Sequence, residues 1–202
     1  QSQIQECLIN SSNARPNRVK EVIFNNPDIR WNILDLPNLP IRQFDLDKII
    51  DHSADWWESN RTEYLYNQMF ERHQSTVKLM MEQDKWSYGT VFRRMRLRDG
   101  KKQSTAELRT DGIAGCLRTP KGGSARQILI RAGKNQFDAR LLNENECAQL
   151  MGADDLILPP GTSLNEALFG FGDAVVVPVV EWISENYLKP LMLKEVFQPE
   201  IV

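Results

Sequence analysis

Apolar positions recur at helical spacing most clearly between Ala54 and Glu82. Leu65, Met69, Thr76, Val77, Met80 and Met81 fall on one side, while Glu58, Arg61, Glu71, Arg72 and Lys78 are left to water. The pattern predicts helix, with a break near Trp56-Trp57 and Ser59 or Asn60 capping the segment that follows. Such a methionine and aromatic stripe reads as core rather than as a cofactor contact. Upstream, Val22-Ile23-Phe24 reads as a strand that Asn25-Asn26-Pro27-Asp28 ends with turn chemistry. Leu36-Pro37-Asn38-Leu39-Pro40 is no helix interior, because two prolines remove donors and hold the chain extended. It is expected to be an ordered connector lying on another surface, followed by one or two helical turns over Asp45 to Ile50.

From Tyr88 to about Phe137 the period shortens. Gly89-Thr90-Val91-Phe92 and Ile128-Leu129-Ile130 read as strands. Asp99-Gly100, Asp111-Gly112, Gly122-Gly123 and Gly133-Lys134-Asn135 are turn signals at hairpin-like intervals. A small, twisted, β-rich lobe follows from that pattern. After Leu141 the chain turns helical again, with Asn143 or Asn145 capping a short helix through Met151 and Gly152 ending it. A further helix is expected to start near Ala174 or Pro178 and to run to about Tyr187. There is no internal repeat.

Composition narrows the classes. The chain has 202 residues, 41% hydrophobic and 26% charged, which suits a folded domain with a smaller lobe rather than a disordered acidic chain. The longest apolar run, Ala174 to Val180, stops at Glu181, short of the roughly 20 residues that span a bilayer, so no membrane partner is expected. Gln1-Ser2-Gln3 opens no signal peptide. Cys7, Cys116 and Cys147 are odd in number and widely spaced, and only His52 and His73 accompany them. Neither a disulfide framework nor a metal site is expected, and the usage suits a reducing, cytoplasmic setting.

Charge changes the picture more. The net −2 conceals a strong asymmetry: residues 93–140 carry a net +9 between flanks of −3 and −8. A localised basic segment between acidic flanks suggests a polyanion-binding face, nucleic acid above all, with a solvated and internally paired surface as the plainer reading. Within it Arg93, Arg94, Arg96 and Arg98 cluster, Arg96 and Arg98 on the same side of any strand. Ala114 to Gln127 then supplies Arg118, Thr119, Lys121, Gly122, Gly123, Ser124, Arg126 and Gln127. Guanidinium forks suit guanine edges or phosphates, Gln127 suits adenine, and hydroxyls and exposed amides suit the backbone. The glycines permit close approach of the main chain, although Gly122-Gly123-Ser124 lacks the pattern of a nucleotide P-loop. Glu107-Leu108-Arg109 after Asp99 has the look of a nuclease carboxylate set, but no lysine completes it.

The last third carries a resemblance. Arg140-Leu141-Leu142-Asn143-Glu144-Asn145-Glu146-Cys147-Ala148-Gln149-Leu150-Met151-Gly152-Ala153-Asp154-Asp155 resembles the ninth motif of DNA cytosine-5 methyltransferases. Gly170-Phe171-Gly172-Asp173-Ala174-Val175-Val176-Val177-Pro178-Val179-Val180 resembles their tenth. The two stand in family order, directly after a basic β-rich segment. The resemblance covers about Ile41 to Pro190 loosely and Arg140 to Trp182 specifically.

It implies that the basic lobe is a target-recognition domain for double-stranded DNA. Arg140 and Glu146 would brace it against its neighbours, with Leu150 packing the short helix. Gly172, Asp173, Ala174 and Val175 would form part of an S-adenosylmethionine pocket, the tenth motif entering as strand or loop. Asp173 departs from the family's usual asparagine, exchanging an amide donor for a charge. The family's Pro-Cys nucleophile, its Glu-Asn-Val triplet and its glycine-rich cofactor motif are absent, and the eighth motif has at best traces, in Gln1-Ser2 or in Asn17-Arg18-Val19-Lys20. No catalytic residue is therefore expected here, and the cofactor would be bound mainly elsewhere.

The expected fold class is α+β: a helical segment, a small β-rich recognition lobe, and C-terminal helices that dock on an absent α/β catalytic domain. Residues 1–53 would connect from that domain, 54–139 would hold the helical segment and the lobe, and 140–202 would return to it. The partner would be the N-terminal catalytic domain of the same enzyme. The alternative is a non-catalytic DNA-binding specificity subunit acting with a separate catalytic subunit.

Overall fold

Four strands form one antiparallel sheet in the order β2-β1-β3-β4: β1 Ser87–Arg98, β2 Lys101–Arg109, β3 Ile128–Gly133 and β4 Gln136–Leu141. The computed structural model describes residues 9–10, 12–31, 33–42, 44–98, 100–119 and 126–196. Helices precede and follow the strands along the sequence: α1 Asn17–Asn25, α2 Ser59–Asn67, α3 Glu71–Met81, α4 Glu144–Leu150, α5 Leu164–Asp173, α6 Val177–Ile183 and α7 Lys189–Val196. A 3₁₀ turn occupies Leu46–Lys48, as the sequence predicts for that stretch, and a π-helical turn joins α6 to α7 at Ser184–Leu188. The α+β class is thus observed. The chain forms two compact units, residues 44–177 and residues 1–43 with 178–202.

In the larger unit, strand alternation sends successive side chains to opposite faces. One face packs on α2 and α3, burying Leu65, Met69 and Val77 against Val91, Ala106, Ile128, Ile130, Ala132 and Ala139. The other face carries Leu129 into a second cluster with Leu142, Cys147, Ala148, Met151, Ala167, Leu168 and Phe171, from α4 and α5. Each fully buried aliphatic side chain contributes about 1.5–3 kcal/mol, so these two layers hold the sheet. The chain between α2 and α3 also covers part of the β2 edge: Met69 bridges to Ala106, whose N–H donates to the Gln68 carbonyl at 3.0 Å.

The helical stripe is found where the pattern places it, but the helices are divided differently. Residues 54–58 are not helical, α2 starts after Glu58 without a side-chain cap, and the break falls at Gln68 to Phe70. Val22-Ile23-Phe24 is helix, not strand. Pro16 precedes the first turn, a position where its missing N–H costs nothing, and Val19, Val22 and Ile23 stand at i, i+3 and i+4. Asn143, rather than Asn145, caps α4 in a full capping box with Glu146, and Gly152 past its end has φ +67°. The hairpin signals at Gly100 and Gly133-Lys134-Asn135 are both turns, the latter with Lys134 and Asn135 at φ +51° and +60°. Gly122-Gly123 lies outside the described residues.

Two features of the C-terminal third depart from the sequence reading. The tenth motif begins as the last turn of α5, which the periodicity did not reveal, and only then passes through the expected loop, at residues 174–176, into α6; Ser163 caps α5 in a second capping box with Glu166. The segment Leu164–Leu193 meets the length and composition of a membrane-crossing helix, where the run from Ala174 to Val180 alone falls short. The extended backbone of Ala174, at ψ 164°, divides it.

Candidate nucleic-acid interface

The floor of the candidate site is the β1–β2 ribbon. β1 runs well beyond the stretch that covers the cores, and its outer half pairs only with β2, from Arg93 opposite Ala106 to Arg98 opposite Lys101. Phe92, Arg94 and Arg96 share one face, together with their cross-strand partners Glu107, Thr105 and Gln103. An open cleft of about 830 Å³ lies over this ribbon. Phe92, Arg94 and Arg109 line it from the sheet, Gly115 to Thr119 from the loop, and Gln127 and Gly172 close it.

The guanidinium groups in and near the cleft are oriented by neighbours. Arg94 sits over the Phe92 ring at 4.5 Å. Arg96 donates from Nε and Nη2 to Glu107 Oε1 at 3.0 and 2.6 Å. Arg109 forks onto Asp111 at 2.7 and 2.9 Å, and that hydrogen-bonded pair raises the pKa of the arginine and lowers that of the carboxyl. Arg118 is exposed on the loop. Arg93 differs from the rest of its cluster: it is half-buried, with its Nε unpartnered. Its pKa is lowered first by burial and then by nearby Arg61, against a raising influence from Tyr64.

The loop itself is seated by packing. Gln127 is 7% exposed, and its carboxamide is spent on the loop backbone, accepting from Gly115 N at 3.2 Å and donating to Cys116 O at 3.3 Å. A Cβ on residue 115 would lie 2.7 Å from the Gln127 Oε1, so a larger residue there would displace that amide from the loop backbone. Arg126 donates to Asn165 Oδ1 on α5. At the other end of α5, a Cβ on Gly172 would lie 2.2 Å from the backbone nitrogen of Thr119. The loop therefore rests on α5 at both of its described ends. Lys121, Gly122, Gly123 and Ser124 lie outside the described residues, as does Cys7; of Arg98 only the backbone pairing is described.

Arg140 and Glu146, set apart in sequence but both buried, meet in a two-toothed ion pair at 2.6 and 2.7 Å. Arg140 also donates to the Asp51 carbonyl, Glu146 accepts from the Asp51 N–H, and Asn143 donates to the Asp51 carboxylate. One buried charge pair thus ties β4, α4 and the chain before α2 together. The partly buried Leu150 packs against the cluster beneath α4. Asp51 was invisible to motif reading, because nothing in its local sequence marks a contact with residues 140–146.

The model of the family C-5 cytosine-specific DNA methylase matches residues 8–189. This chain belongs to that family. No curated protein and no solved structure matches it. The methylase family acts on DNA and draws its methyl group from S-adenosylmethionine, and the four tenth-motif positions divide in how they suit that cofactor. Asp173, Ala174 and Val175 are exposed at the carboxyl end of α5, Val175 to 73%. A carboxylate and two small apolar side chains left uncovered suit the hydroxyls and apolar faces of a nucleoside. Gly172 is different, since the space a side chain would take is filled by the Thr119 backbone. Among the described residues no cluster of metal-ligating side chains occurs. Cys116 is exposed, its Sγ donating to Leu117 O, and Cys147 is buried.

Proposed function

We propose that this chain is the target-recognition part of a DNA cytosine-5 methyltransferase, and that it closes one side of the S-adenosylmethionine pocket. The observation that carries the reading is the cleft, in which Arg94, Arg109 and Arg118 converge with Phe92 beneath a loop braced from behind. Positive charge concentrated on one concave face neutralises phosphates, and oriented guanidiniums on a two-stranded ribbon suit the major groove. Arg94, Arg96, Arg109 and Arg118 are the DNA-contacting residues of this reading, with Lys121 to Ser124 of the sequence added to them. Gln127 shapes the loop rather than reading a base, because its carboxamide already accepts from Gly115 N and donates to Cys116 O.

S-adenosylmethionine supplies the methyl group when bound. Asp173 offers a carboxylate to its polar portion, Ala174 and Val175 cover an apolar one, and Gly172 keeps their turn pressed to the recognition loop. The target cytosine leaves the stack and enters a pocket provided by a catalytic domain. Exposed apolar side chains support such a partner: Val19, Val22 and Phe24 on α1, and Val179, Val180 and Ile183 on α6, all lack cover. A double substitution, Arg94→Ala with Arg118→Ala, tests the assignment in a duplex-binding titration. A loss of about 1–3 kcal/mol per base-contacting arginine is expected; an unchanged affinity would move the recognition surface elsewhere.

A further inference from the structure

Arg96 and Glu107 stand on the ribbon beside the cleft rather than in its lining, and their geometry is specific. Glu107 stands directly opposite Phe92 on the ribbon, 17% exposed at its side chain, between two arginines that are about half exposed. Its Oε1 takes both Nε and Nη2 of Arg96, while its Oε2 lies 3.7 Å from Nε of Arg94. A surface ion pair of this kind adds little stability. What it does is fix a plane. With the Nε–Nη2 edge of Arg96 held, the remaining donors are Nη1 and the outer proton of Nη2. These form the end-on fork that matches O6 and N7 of guanine.

The setting supports that use of the fork. Residues on one face of a strand repeat at roughly 6.8 Å, close to two base-pair steps. Arg94, held over Phe92, and Arg96, held by Glu107, are therefore spaced to meet two positions of one groove. A negative charge placed among cationic DNA contacts weakens phosphate binding, so its presence there is explained by orientation rather than by affinity.

We propose that Arg96 reads a guanine in the major groove of the target site and that Glu107 is the positioning residue that aims it. The proposal rests on the reading of the cleft as a DNA-recognition surface and specifies part of its code. It assigns opposite effects to Glu107 on two quantities. Glu107→Ala removes a repulsive charge and so binds arbitrary duplex at least as tightly as the parent, while losing discrimination at one base pair. Arg96→Lys keeps the charge but loses the planar fork.

The test is selection of the full chain, and of the two variants, from a pool of duplexes with a random central segment at low salt, followed by sequencing. The parent is expected to recover a consensus containing guanine. Both variants are expected to relax the same guanine by roughly tenfold or more, with the other positions kept. Variants that recover the parent consensus unchanged overturn the inference and make Arg96 a phosphate contact, leaving the recognition surface in place. Relaxation at a position that is not guanine also overturns it. A parent chain that recovers no consensus overturns the reading of the cleft itself. Matching circular dichroism spectra for the three proteins show that the comparison is between folded chains.

Discussion

The buried pair of Arg140 and Glu146 shows how much one position can hold. Their side chains are 2% and 1% exposed and between them touch β4, α4 and the backbone of Asp51. Breaking a buried pair leaves an uncompensated charge, at a cost of about 3–5 kcal/mol. Glu146→Gln is therefore expected to lower the unfolding free energy by about that amount in a denaturant titration, although it preserves shape and the capping position. Cys147, next to it, has its thiol pushed up to about 12, first by burial and then by Glu146 and Glu144. In the native chain at neutral pH, alkylation mapped by mass spectrometry should mark the exposed Cys116 and spare Cys147. Labelling of both at equal rates would contradict the packing of α4.

Asp51 adds a pH dependence at the same scale. Its pKa is lowered from 3.8, most by the Ser53 hydroxyl at 2.6 Å, then by the Ser53 N–H, with Asn143 and Arg140 adding smaller effects against a raising influence of burial. A carboxyl depressed in the folded state stabilises it above the unfolded value and loses that contribution as pH falls through the folded value. Ser53→Ala should thus be less stable than the parent at pH 7, and the difference should shrink toward pH 3 in paired denaturant titrations. A gap that persists unchanged in acid would assign the effect to something other than the charge of Asp51.

At the scale of elements, what was legible in the sequence was whatever depends on neighbours in the chain. The α2–α3 stripe, a helix cap at Asn143 or Asn145, the turns at Gly100 and Gly133 to Asn135, and the basic ribbon all follow from local spacing. Val22-Ile23-Phe24 misled because a three-residue apolar run has no period of its own; only Val19, one turn earlier, reveals the helix. α5 was missed because Gly170 and Gly172 weaken its helical signal. Gly172 is needed for a contact 53 residues away, against Thr119. Gln127 shows the same limit: its residue type suits adenine, but the fold turns its amide inward to the loop. Leu65→Ala, in the centre of the α2 layer, should cost about 2–5 kcal/mol of stability, read as a shift in the denaturant midpoint. A smaller loss would mean that α2 is not fixed to the sheet by that side chain.

For the whole molecule, charge segregation was the most informative property of the sequence, because it survives folding as a cleft. The ninth and tenth motifs led to the family, and the match over residues 8–189 establishes it. Locally, the ninth-motif residues lock β4 and α4 to the chain at Asp51 through a buried ion pair, and Gly172 of the tenth lets the 115–119 loop rest on α5. Neither supplies a nucleophile. With no Pro-Cys in the sequence, the chain alone is expected to transfer no methyl group from labelled S-adenosylmethionine to duplex DNA, and measurable transfer by pure material would contradict the division of labour proposed above.

The central claim is that the basic cleft binds duplex DNA, and the most direct measurement is the association constant of this chain for a random-sequence duplex as salt is raised from 50 to 200 mM. If Arg94, Arg96, Arg109 and Arg118 engage the duplex, log Kobs falls linearly with log salt, with a slope of about −0.9 for each phosphate neutralised. Substitution of a phosphate-contacting arginine flattens that slope by about one. Binding that is absent at 50 mM, or that does not change across the range, would contradict a DNA-recognition surface in this cleft.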